Sequence, residues 1–149
     1  MARIFRLLGA PEQTFPPTVS SNDISENATV MPAARRDPAP YLPLTPAALQ
    51  VLLALADGPK HGYAILKDVE ARSGGDIRLS TGTLYGLIKR FLDDELIVEL
   101  APAAHDDERR RPYRLTPFGR DVAGAEAERL EKLVAEARAA RLLPRAHRS

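Results

Sequence analysis

From Thr45 onward the apolar residues of this chain fall in blocks, and each block closes on a breaker. Thr45-Pro46 supplies an N-cap followed by a proline at the first helical position, and Leu49, Leu52, Leu53 and Ala56 then share one face. Asp57-Gly58-Pro59 stops that helix. His61-Gly62-Tyr63 leads into a second, with Ile65, Leu66 and Val69 inward, which ends at Ser73-Gly74-Gly75. Ile77 to Leu79 reads as a short strand. Ser80 or Thr81 caps a third helix reaching about Asp94, whose stripe is Leu84, Leu87, Ile88, Phe91 and Leu92.

The period then changes. Ile97 to Leu100 and Tyr113 to Leu115 are short β-type runs around a charged loop, which predicts a hairpin with a protruding tip. Thr116-Pro117 repeats the cap-and-proline device and opens a helix to about Leu142, roughly 26 residues or 39 Å long. Three helices closed by a two-stranded wing make a mainly α fold of the winged helix-turn-helix type, with the long C-terminal helix added. The predicted winged-helix domain spans residues 41–116 and the C-terminal helix 117–143. Residues 144–149 form a basic tail. Seven of the thirteen prolines lie between Pro11 and Pro43 among polar residues, so residues 1–40 are expected to be a disordered arm.

In such a fold the third helix buries its stripe and offers its other face. That face carries hydroxyls at Ser80, Thr81 and Thr83, then Tyr85, Lys89 and Arg90. Hydroxyls exchange hydrogen bonds with base edges, lysine and arginine favour guanine, and a helix N-terminus suits phosphate. The plainer alternative is that Ser80 and Thr81 only cap, while Lys89 and Arg90 solvate the helix end. In the hairpin, His105-Asp106-Asp107-Glu108 precedes Arg109, Arg110 and Arg111, with Arg114 close by. The three arginines are candidates to grip a phosphate backbone, and the acidic half is able to pair with them when no polyanion is present. His61, in the turn before the second helix, is a candidate for a local hydrogen bond or a phosphate contact.

The long helix carries Phe118 and Val122 near its start, then Leu130, Leu133, Val134 and Ala137. Its later part needs an apolar cover. A second subunit is the simplest, since a two-fold dimer would also repeat the reading helix across two half-sites. Folding back on its own domain is the alternative.

Totals change this picture little. The net charge is +1, so the placement of charges decides, and the absence of cysteine excludes disulfides and thiolate zinc sites. His61, His105 and His147 stand apart with no second ligand at metal spacing, so neither metal nor cofactor is expected. No nucleophile-elbow, phosphate-loop or metalloprotease motif appears, which argues against an enzyme. No apolar run approaches the ~20 residues of a membrane span, and a soluble cytoplasmic protein is the expectation.

The stretches LQVLLALADGPKHGYAILKDVE, LSTGTLYGLIKRFLDDELI and RRRPYRLTPFGR, in this order and spacing, resemble the PadR family of transcriptional regulators over roughly Leu44 to Gly119. The most specific pieces are GPKHGY, GTLY and the arginine-rich approach to YRLTPFGR. The resemblance implies a winged helix that binds double-stranded DNA, a homodimer formed through the C-terminal helix, and a repressor that in many members releases DNA on binding a small-molecule effector. It further implies that Tyr63 and Tyr113 lie toward the DNA, although Tyr113 fits equally well as a residue half-buried in the hairpin. This chain departs at Thr81 and Gly86, where the family often carries proline, and in having no tryptophan for stacking planar ligands. A winged-helix module that binds protein instead of DNA is the alternative, favoured by the near-neutral charge and the acidic wing.

Overall fold

The computed structural model describes residues 35–144 apart from 106, 108 and 109. The arm expected at residues 1–40 therefore lies outside the described residues up to residue 34, as do Arg109 and the tail beyond Pro144. Helix α1 (Pro46–Ala56) starts where the Thr45 hydroxyl accepts from the Ala48 N–H at 3.1 Å. Its buried residues are Ala48, Val51, Leu52, Ala54 and Leu55, so the inward face is rotated from the expected one and Leu49 and Leu53 are only half-buried. The reason is position: α1 is covered by the second helix, the hairpin and the long C-terminal helix, and apolar residues on nearly all sides suit that place.

Lys60, beyond the turn, ties three elements together. Its main chain exchanges two hydrogen bonds with Tyr113, at 3.0 and 2.9 Å. Its ammonium donates to the Ala54 carbonyl near the end of α1 and to Asp68 (2.9 Å) on α2 (Gly62–Arg72). Arg72 joins from the last turn of α2, bonding both Asp68 and Asp57. The hydrogen bond from Lys60 lowers the Asp68 pKa, against burial and with help from Arg72.

Ile77–Leu79 forms no strand. Ser73 Oγ instead accepts from the Ile77 N–H at 3.0 Å, and the edge of the hairpin at Tyr113 is already occupied by Lys60. Ile77 and Leu79 contribute only side chains to the core. Helix α3 (Thr81–Asp93) buries Leu84, Ile88 and Phe91. Strands β1 (Ile97–Glu99) and β2 (Tyr113–Leu115) pair antiparallel, with Glu99 opposite Tyr113.

Helix α4 (Pro117–Ala139) begins with Thr116 as cap, its hydroxyl accepting from the Gly119 N–H at 2.9 Å. It stops three residues short of the expected Leu142, where Arg141 adopts a positive φ of 60° and the Leu142 N–H returns to the Ala137 carbonyl. Gly119 lies against β1's approach: a Cβ there would sit 2.0 Å from the Leu96 carbonyl oxygen. Two residues expected to serve dimerisation have internal roles. Val122 is fully buried in the chain's own core. Phe118 meets Tyr41 edge-on at 5.4 Å, with the Arg36 guanidinium 4.4 Å from its ring centre. Arg36 also donates to the Asp94 carbonyl and Glu95, so the chain entering the domain is fastened to the end of α3.

Glu126 was not foreseen as a core residue. It is 1% exposed, accepts from Arg129 at 2.6 and 2.9 Å, and also takes the Leu44 backbone N–H. The Arg129 bond holds its carboxyl below the usual range despite the opposing effect of burial. A depressed folded pKa means stability that is complete above the ordinary glutamate value of about 4.3 and lost as pH falls through the folded value. Glu126→Gln is therefore expected to lower Tm at pH 7 by roughly 5–10 °C. The gap to the parent chain should narrow as thermal scans move from pH 7 to pH 3, and a constant gap would refute the assignment.

Candidate nucleic-acid interface

The first turn of α2, the middle of α3 and the hairpin enclose an open cavity of about 550 Å³. His61, Gly62, Tyr63 and Ala64 form one wall, Tyr85 another, and Glu99, Arg110, Arg111 and Tyr113 the third. Of the twelve residues singled out for DNA contact, six meet here: His61, Tyr63, Tyr85, Arg110, Arg111 and Tyr113.

Each wall has a local cause. The N-cap of α2 is His61, whose side chain makes no capping bond, so the first N–H groups of the helix keep their partial positive charge. His61 Nδ1 is buried without a hydrogen-bond partner among the described residues, so that nitrogen is turned inward. Tyr63 stands in solvent with the Lys67 ammonium 5.6 Å from its ring. Tyr113 is half-buried; desolvation, then the charge of Glu99, raises its pKa, so it stays a neutral donor at physiological pH.

The other six candidates are distributed differently. Ser80 and Thr83 spend hydroxyls on each other: Ser80 Oγ donates to Thr83 Oγ1 at 2.8 Å and accepts from the Thr83 N–H at 3.1 Å. Thr81, Lys89 and Arg90 are exposed on α3, with Arg90 3.8 Å from Asp94. Lys89 and Arg110 form no ion pair with another described residue. Arg109 lies outside the described residues.

Three features of the site were missed by sequence reasoning. Glu99 lines the cavity and pairs with Arg111 at 3.4 Å, a contact that depends on hairpin register. Gly62 supplies a gap against which the Tyr85 phenol rests. Lys60 holds the turn that presents His61. Of these, only Gly62 and Lys60 carried a signal, through their place in GPKHGY.

Chemically, a helix N-terminus and two guanidinium groups around an open cavity suit a phosphate, and the aromatic and hydroxyl groups on α3 suit base edges. Away from this face, Leu130, Leu133 and Val134 are 37, 47 and 38% exposed along α4, and Ala137 continues the line.

The chain is similar to known proteins in sequence and in fold. A 37.1 kDa protein in transposon TN4556 of Streptomyces fradiae is 42% identical over 87 residues, 58% of this chain; the chain spans only 24% of that relative. A PadR family transcription regulator from Clostridium difficile shares the fold at a TM-score of 0.54, with 22% identity over 62% of this chain and 94% of that one. Bordetella bronchiseptica BpsR, whose DNA binding is regulated by 6-hydroxynicotinic acid, matches at a TM-score of 0.50 and 26% identity, over 62% of this chain and 64% of its own. The model of the PadR-like transcriptional regulator family matches residues 51–125, half of the 149-residue chain, and the chain belongs to that family.

Proposed function

We propose that the chain is a homodimeric repressor in which α3 of each subunit enters a major groove while the wing holds phosphates. The observation that carries this is the convergence of the uncapped α2 N-terminus, Tyr85 and the wing arginines on one face. Arg110 and Arg111, with Arg109 beside them in sequence, are the phosphate anchors. Tyr85, Lys89, Arg90 and Thr81 face the bases, and Ser80 and Thr83 act mainly through the helix end they cap. His61, Tyr63 and Tyr113 border the backbone path.

The exposed stripe of Leu130, Leu133, Val134 and Ala137 is the subunit contact. It spaces two reading helices for half-sites one helical turn, about 34–36 Å, apart. The repressor role follows the family resemblance. Release of DNA by a small molecule is supported by the regulation reported for BpsR.

Fluorescence anisotropy on DNA from upstream of the chain's own coding region, against a scrambled duplex, tests the proposal. Affinity should fall steeply between about 50 and 200 mM salt as counterions are released. Arg110→Glu is expected to weaken binding about 10- to 100-fold on every duplex, while Tyr85→Ala should cost mainly the preferred site, about tenfold. Salt-insensitive docking to a protein would favour the interaction-module alternative and sink this reading.

A further inference from the structure

The stretches GPKHGY and GTLY meet at Gly62 and Tyr85. A Cβ built on Gly62 would lie 2.9 Å from the Tyr85 hydroxyl oxygen, 3.3 Å from Cζ and 3.6 Å from a methyl of Leu84. Gly62 opens a regular α-helix and needs no left-handed backbone, so conformation does not call for glycine here. Space does. The contrast on α3 itself is Gly86, where an added Cβ would meet nothing within 4 Å.

We propose that Gly62 is a positioning residue whose missing side chain seats the Tyr85 phenol against the first turn of α2, and that this seat sets base discrimination. Tyr85 is 49% exposed. Its ring end lies against Gly62, and the half-exposed residue lines the cavity. A tyrosine on an exposed helix face otherwise samples several rotamers, and freezing them on binding would cost affinity. With its far end lodged, the ring presents one edge and its hydroxyl one direction before any DNA arrives. A methyl at residue 62 would collide with the tip of a flexible side chain, not with backbone. The fold therefore tolerates it while Tyr85 swings away. The α2 start is then part of the reading apparatus without touching a base.

This inference rests on the DNA-binding reading, so its test carries one readout independent of DNA. The full chain is labelled with 3-fluorotyrosine, which reports its four tyrosines by fluorine NMR, and Tyr85→Phe identifies the Tyr85 resonance. Gly62→Ala should move that resonance most and leave the thermal midpoint unchanged or slightly higher. On DNA it should lower the preference for the upstream duplex over the scrambled one about tenfold, as Tyr85→Ala does. The double variant Gly62→Ala/Tyr85→Ala should be no worse than Tyr85→Ala alone. In the Tyr85→Phe background, which removes the nearest atom, the effect of Gly62→Ala should shrink. Additive losses, an unmoved Tyr85 resonance or a midpoint lowered by more than about 10 °C would each overturn the proposal, the last by making Gly62 a packing residue. A parent chain with no duplex preference would overturn the DNA-binding reading, and the proposed role with it. A Tyr85 resonance that still moves would tell that failure apart from a failure of the seating.

Discussion

Gly119→Ala is expected to abolish or nearly abolish folding. The new methyl carbon would stand 2.0 Å from the Leu96 carbonyl oxygen, 2.8 Å from its carbon and 2.9 Å from a methyl of Leu115. Two of those three atoms are backbone, so no rotamer change relieves the clash. The Leu96 carbonyl is also committed, accepting from the Thr116 N–H and from its hydroxyl, both at 3.0 Å. Moving it would loosen the cap of α4 and the approach to β1 together. Ordinary overpacking costs about 1–3 kcal/mol; a clash with fixed backbone belongs at about 4 kcal/mol or more, against a total stability of about 5–15 kcal/mol. Thermal or urea unfolding followed by circular dichroism should show Tm lower by at least about 15 °C, or no folded protein at all. Gly124→Ala is the control on the same helix: nothing lies within 4 Å of its would-be Cβ, and Tm should stay level or rise. Similar losses at both positions would refute the argument from close approach.

The dimeric reading makes a second large claim. Leu133 is 47% exposed and belongs to no part of the core, so Leu133→Asp should leave the fold intact. In a subunit contact the same carboxylate would be buried without a partner, which costs several kcal/mol. Sedimentation at about 10 µM should then show the mass of one chain. DNA affinity should drop by about 100-fold or more, because the second half-site is no longer held near the first. An unchanged mass would remove the stripe from the interface.

What the sequence made legible was local chemistry. The caps at Thr45, Ser80 and Thr116 each satisfy an N–H three residues on, a bond within one turn that needs no knowledge of the fold. Three helix starts followed from them, and the hairpin strands from two short β-type runs around a charged loop. The rotation of α1 did not, because a helix apolar on nearly every side has no unique inward stripe. Ile77–Leu79 has strand composition, yet a strand requires a neighbour and Lys60 had taken the place. Nothing in the sequence sets Glu126 apart from the other glutamates of its helix; its burial and its bonds from the Leu44 N–H and Arg129 depend on tertiary approach. In the site, Tyr85 and the arginines were legible from their helical and hairpin positions. The gap at Gly62 and the Glu99–Arg111 pair were not, since both depend on tertiary approach.

The close seat of Gly119 on Leu96 also has a mechanical meaning. It leaves α4 no slack at its root, where Arg36, Phe118 and the Thr116 cap fasten the same joint. A 23-residue helix is a lever about 35 Å long, and tilting it by about 5° carries its free end through about 3 Å. Conversely, a 3 Å shift imposed at the Ala139 end would turn the winged domain through about the same angle.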